Sequence, residues 1–452
     1  MYGNLFKTSL AAILSLYLAI GVSAQDTTKA PAPPQPVQTL TIDEAVDLGM
    51  KHSSQIRISQ AKMGATDQKY KQYLAQLAPN IAINSSVTHS SENLPFYQNF
   101  DFAGAFITFP ATAYNYYLNA LNISQVVFAG LRGWNTLAMS KEQIKAAQYD
   151  LAADKRTARN NIIIAYYNHY KLLESKRVVA ENIEVQQLRL RDIQNLQTVG
   201  MALKNDVLKI QIAISNLQQS ADEVQSAIDV SNYNLDVMTG LPENTKIQIV
   251  DAGLISTKGD FDINSGLANA LRIRPEVKAA DVRLDISHKA LRIARGMYSP
   301  VISGGFNYYY NEPNQREFIG PVEFKYSWDI GVRLSWNITG LFTNQFQTNE
   351  AKINIQEAEA QHDQLSDNIK MEVNSNYADY KLALDKISLN QNNVDQATEN
   401  RRMTKDQYDN GIKNVTDMLD ADNLVTVSQI NLLNARIDAE IAYAKLLKAT
   451  GN

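Results

Sequence analysis

The 452-residue chain has no cysteine, which excludes disulfides, thiol catalysis and thiolate metal sites together. Its five histidines, His52, His89, His169, His288 and His362, never fall at ligand-like spacings, so no metal site, cofactor or catalytic constellation is predicted. Charge of one sign is missing too: 43 basic against 47 acidic side chains leave no electrostatic footprint for nucleic acid. There is no phosphate-cradling glycine loop, because Gly304-Gly305-Phe306 lacks the lysine and the helix that such a loop needs. Long apolar runs are also lacking. The run over residues 10–20 is too short to span a bilayer, and its place after Lys7 and before Val22-Ser23-Ala24 predicts a cleaved secretory leader over residues 1–24. No later run reaches about 18 apolar residues, and no cysteine follows the leader to carry a lipid, so any membrane contact must come from strands. Residues 25–39 are proline-rich and read as an extended linker with no means of packing a core.

Glycine and proline are absent from residues 134–199 and again from 341–410, each stretch long enough for a helix of about 100 Å. Shorter breaker-free stretches follow Gly200 and Gly411, and both end in Thr-Gly. Gly200 and Gly411, Asp206 and Asp417, and Leu208 and Leu419 pair at a constant offset of 211 residues. Further upstream, Tyr167 and Tyr170 pair with Tyr377 and Tyr380, and Pro79 pairs with Pro300. The chain is written twice. Each unit holds a helix, two strands, a very long helix, a turn and a shorter helix: 40–240 first, 266–452 second, joined by a connection over 241–265.

The strand signal is clearest over residues 323–338, where polar and apolar side chains alternate without a slip. Phe324, Tyr326, Trp328, Ile330, Val332, Leu334 and Trp336 share one face, which suits either a packed core or lipid. Hairpins are predicted over 80–128 and 301–338, with loops at 93–112 and 313–322. The alternation in the first hairpin changes phase between Leu118 and Val126, as a bulge would cause.

Heptads mark the returning helices. Val207, Ile214, Ala221, Ile228 and Leu235 form one seam, repeated by Met418, Val425, Leu432, Ala439 and Leu446, while Val373, Tyr380, Ile387 and Val394 stripe the second long helix. These spacings predict long helices packed pairwise and antiparallel. Helices near 100 Å cannot sit inside a compact domain, whose radius of gyration would be about 22 Å at this length. Four strands cannot close a barrel either, since the smallest membrane barrels use about eight, so strands that meet lipid demand several copies.

The duplicated order of elements and the junctions Ser124 to Trp134 and Leu334 to Asn344 resemble the TolC-like outer membrane efflux proteins, over nearly everything from Thr41 to Gly451. The resemblance implies a mixed α and β membrane protein, a homotrimer with one twelve-stranded β-barrel in outer membrane lipid, continuous with an α-helical tunnel across the periplasm. It also implies a passive exit duct, not an enzyme, serving a tripartite efflux pump or a type I secretion system. Its partners would be a periplasmic adaptor and an inner-membrane pump. A periplasmic adaptor, or a coiled-coil adhesin without a pore, is the rival class, distinguished by lacking the duplicated amphipathic hairpins.

The turns raise a gate. Gly200 and Gly411 suit the left-handed residue that ends a helix, and with Val199 and Met201 they form the expected adaptor-docking tip. Asp417 and Asp420, at i and i+3, place two carboxylates on one helical face, and three copies would make six. Two such charges about 6 Å apart repel by nearly 3 kcal/mol at an effective dielectric of about 20, so a closed ring needs an offsetting cation or proton. The family's periplasmic constriction has a similar glycine-to-aspartate segment, matched by Gly411 to Asp420, with Lys413 and Tyr408 at positions that latch neighbouring helices. Asp206 is the first-repeat counterpart, where stabilising the helix N-terminus is the competing role.

Overall fold

The computed structural model describes residues 37–89, 99–102, 105–108, 115–243, 245–249, 261–314, 316 and 323–451. The expected leader, and the linker up to residue 36, lie outside those residues. The same series of elements occurs twice. The first runs α1 (Ile42–His52), α2 (Ser54–Ala75), β2 (Asn80–His89), β5 (Asn115–Phe128), α3 (Arg132–Thr198) and α4 (Lys204–Thr239). The second runs α5 (Ile263–Ile273), α6 (Pro275–Gly296), β7 (Val301–Asn311), β8 (Lys325–Ser335), α7 (Gly340–Asp409) and α8 (Val415–Thr450). Paired helices match closely in length: 11 and 11, 22 and 22, 67 and 70, 36 and 36 residues. At about 1.5 Å per residue, α3 and α7 are rods of about 100 Å.

Three local features depart from the expectation. The single opening helix of each unit is two helices, broken at Ser53, whose hydroxyl accepts from the Ile56 N–H, and at Arg274, where Pro275 sets the next first turn. The linker is not wholly without contacts: β1 (Val37–Leu40) pairs in parallel with β6 (Lys246–Ile249), burying Leu40 and Ile247. Within the stretch read as a loop, β3 (Asn99–Phe102) and β4 (Ala105–Thr108) form a small antiparallel hairpin. Its Phe100, Phe102, Phe106 and Ile107 are the β-prone types that the loop reading passed over.

The main sheet has the order β2-β5-β7-β8 and is antiparallel throughout. Its central β5–β7 ladder joins one hairpin of each repeat, so the two halves share one sheet. The ladder slips between Val126 and Phe128, at the end of the interval where the alternation changes phase. Directly opposed residues share a face, which sorts the sheet into two surfaces. Ile81, Ile83, Leu121, Ile123, Phe306 and Ile330 lie on one; Asn80, Asn122, Ser124, Asn307 and Asp329 lie on the other. Rings stack along the apolar face, Phe306 on Trp328 at 6.3 Å, Tyr308 on Tyr326 at 6.5 Å and Tyr310 on Phe324 at 5.1 Å. Nothing among the described residues covers that face: Ile330 is 73% exposed and Val332 79%.

Below the sheet, α3 and α4 form one helical hairpin and α7 and α8 another, joined side by side through α3 and α8. The predicted seams are buried at every position but Ala221, which is half-buried, with Val207, Ile214, Ile228, Leu235, Met418, Val425, Leu432, Ala439 and Leu446 all inside. Small clusters strung along the rod replace a single core, one of them being Tyr380, Ala383, Ala439, Ala442 and Leu446. Near mid-length, Arg274 is buried and donates to Glu276, to Glu372 at 2.6 Å and to the Ala449 carbonyl, tying α6, α7 and α8 together. Tyr166 donates to the Leu40 carbonyl at 3.1 Å, and burial pushes its phenol up to about 12.

Candidate functional site

The end of the rod opposite the sheet is built from two matching turns. In the first, the Gly200 N–H donates to the Gln197 carbonyl at 3.0 Å and the Met201 N–H to the Leu196 carbonyl at 2.8 Å. In the second, Gly411 donates to Tyr408 and Ile412 to Gln407, both at 2.9 Å. These are paired Schellman closures, and they require the left-handed φ of +77° at Gly200 and +73° at Gly411. A Cβ at either glycine would meet nothing within 4 Å, so the backbone conformation alone demands glycine. Gly411→Ala is therefore expected to cost about 1–2 kcal/mol of local stability and Gly411→Asn less, measured by hydrogen exchange of the turn amides. Equal protection in all three proteins would disprove the backbone account. Val199, Met201 and Ile412 are exposed around the two turns, leaving an apolar tip.

The carboxylates diverge in role. Asp417 is committed to the start of α8: its Oδ2 accepts from the Asn414 N–H at 3.0 Å, while Asn414 Oδ1 accepts from the Asp417 N–H at 3.1 Å. Lys413 Nζ lies 3.6 Å from the other oxygen of Asp417. Asp206 accepts from the Leu203 N–H at 3.3 Å, the same helix-starting role in the first repeat. Asp420 lies one turn beyond Asp417, exposed and without an ion pair or hydrogen bond among the described residues. The structure thus brings Asp417, Asp420 and Lys413 together at one tip and sets Asp206 on the neighbouring hairpin.

Tyr408 is half-buried and packs with Leu190, Leu196, Ala202 and Leu419 against Ile193, Val207, Ile210, Ile214 and Val415. Burial pushes its phenol up, with Arg189 opposing. That cluster draws on both hairpins, so Tyr408 fastens them by packing. Lys209 adds a polar link, donating to the Thr416 hydroxyl at 2.8 Å.

Residues 266–452 match the family described as outer membrane efflux protein. The match covers the second repeat, from α5 to the end of α8. It is 21% identical over 338 residues to the outer membrane efflux protein BepC of Brucella suis, covering 73% of this chain and 71% of that protein. It superposes on the CmeC outer membrane channel of Campylobacter jejuni with a TM-score of 0.75 at 17% identity, covering 91% of this chain and 85% of that one. The outer membrane protein VceC of Vibrio cholerae gives 0.73 at 16% identity, covering 91% and 96%. At such identities the likeness carries the fold.

The chain also holds a tip residue that sequence reading missed. Asp422 on α8 is 3% exposed and accepts from Gln186 Nε2 at 2.9 Å, from Arg401 Nε at 2.8 Å and from Arg189. One buried carboxylate thus joins α3, α7 and α8, with Thr426 donating to Asn182 at 2.6 Å one turn away. A signal was available: the heptad stripe Val373, Tyr380, Ile387, Val394 has Arg401 at its next position, an apolar row ending in a cation.

Proposed function

We propose that three copies of this outer membrane protein form an exit duct, pooling their sheets into one twelve-stranded barrel above a helical tunnel, and that the duct serves an adaptor-coupled pump or secretion system. The observation that carries this is the four-stranded sheet with an uncovered apolar face and two open edges, β2 and β8, set on rods of about 100 Å. In hydrocarbon each unpaired edge group costs several kcal/mol, and joining β8 of one copy to β2 of the next removes every edge. The helices agree. Leu208, Ile212, Val230 and Val237 on α4 are exposed, as are Ile353, Met371, Leu382 and Leu389 on α7, at opposite flanks of the chain. Different surfaces at opposite flanks make a heterologous contact that closes into a ring. Heat-modifiable migration of a trimer and stepwise conductance in planar bilayers test the assembly; a monodisperse soluble monomer would falsify it.

At the tip, Asp420 and Asp417 of three copies ring the entrance, with Lys413 offsetting part of the repulsion and Tyr408 holding the hairpins shut. The adaptor meets the exposed turns at Val199, Gly200, Met201 and Gly411. Asp417→Ala combined with Asp420→Ala is expected to raise single-channel conductance and relieve block by divalent cations. Because Asp417 also starts α8, Asp420→Asn alone gives the cleaner measurement, and unchanged block in that variant rules the ring out as the constriction.

A further inference from the structure

Four segments of the sequence, residues 68–91, 102–141, 286–311 and 330–349, contain the described junctions between the sheet and the helices. They make up nearly a quarter of the chain and contain none of its 47 acidic side chains. Cations are present there. Arg132, Arg292 and Arg295 stand on the helical side, and Arg333 stands on β8, two residues from its end.

The strand fixes the direction of Arg333. It lies between Val332 and Leu334 of the apolar face, so it projects from the polar face together with Asp329, Gly331 and Ser335. It is exposed, and among the described residues it has no hydrogen bond or ion pair. Directly across on β7 is Ser303, with Gly305 beside it, and across from Ser303 on β5 is Val126. The one described carboxylate on β8's polar face is Asp329, about 13 Å up the strand and held by Asn307 Nδ2 at 2.7 Å and by Arg316. On the other side, the barrel seam would place β2, whose polar face carries Asn80, Ala82, Asn84, Ser86 and Thr88. Whatever the register across that seam, no carboxylate arrives.

We infer that Arg333 of three copies forms an uncompensated cationic ring at the floor of the barrel, which favours anionic over cationic solutes there, in series with the carboxylates at the tip. The inference rests on the trimeric-duct reading. Its physical basis is a fixed charge on a low-dielectric wall, with only water and neutral side chains to oppose it. A twelve-stranded wall stands about 12 Å from its axis at the usual strand spacing and tilt, comparable with the screening length of about 8 Å at physiological salt. The preference should therefore be strong in dilute electrolyte and fade at about 1 M, where screening acts over about 3 Å.

Zero-current potentials of the full-length protein in planar bilayers under a potassium chloride gradient test this. Arg333→Gln is expected to lower the chloride-to-potassium permeability ratio by about two- to fivefold in dilute salt, with little change at about 1 M. Arg333→Lys should keep the wild-type ratio. Gly331→Asp, which enters open space at the adjoining polar-face position, should lower the ratio as Arg333→Gln does. If both Arg333→Gln and Gly331→Asp conduct with the wild-type ratio in dilute salt, the ring has no role. Absence of any conductance from the wild-type protein overturns the duct itself, and the ring with it.

Discussion

Replacing Asp422 by alanine is expected to loosen the tip of the helical rod by about 3–5 kcal/mol, the cost of leaving buried charge unpaired. Two arginines from different hairpins converge on this one carboxylate, and Arg189 has only 15% of its side chain exposed. Without Asp422, Arg189 keeps only the weaker attraction of Asp192 and Asp409, neither of which forms an ion pair with it among the described residues, while the more exposed Arg401 can turn to water. Most of the loss should therefore come through Arg189. Pairing Asp422→Leu with Arg189→Met should recover much of it, because a buried pair replaced by apolar side chains of similar size is often neutral. Hydrogen exchange at the α8 amides from Met418 to Thr426 reads the effect. A change under about 0.5 kcal/mol for the alanine variant would show that water already screens the site. The functional counterpart is a higher open fraction in conductance records, since α8 cannot leave α3 without breaking these contacts.

The rod and its register were legible in the sequence for different physical reasons. Stretches free of glycine and proline over 134–199 and 341–410 can hardly be anything but helix, and the helix ends at Thr198 and Asp409 follow from glycines forced to positive φ. The apolar face of β8 was legible because strict alternation admits one assignment of faces. Asp422 was hidden by its partners. Gln186 and Arg189 stand more than 230 positions away, and no local period connects them to α8. The capping role of Asp417 was hidden by the opposite circumstance: a carboxylate three residues into a helix suits both a cap and a gate, and only the reciprocal bonds with Asn414 show the cap being made. The β1–β6 pairing escaped notice because its two strands of four residues are too short for alternation to register.

Neighbouring positions on β8 should respond in opposite ways to the same charge. Ile330 is the central residue of the strand and lies on the uncovered apolar face, whereas Gly331 beside it lies on the polar face with open space around it. A lysine or arginine at the bilayer midplane costs about 2–4 kcal/mol, and three copies in one barrel multiply that to about 6–12 kcal/mol. That exceeds or rivals the whole stability of an ordinary fold. Ile330→Arg is therefore expected to abolish the heat-modifiable trimer and send the chain to degradation, while Gly331→Lys assembles at wild-type levels. Each change adds one cation, so net charge and helix content cannot account for a difference between them. Only the facing of the side chain differs, and with it the medium that receives the charge. Normal assembly of Ile330→Arg would mean that this face meets water or protein, and the sheet would then need another partner to cover its aromatic rows.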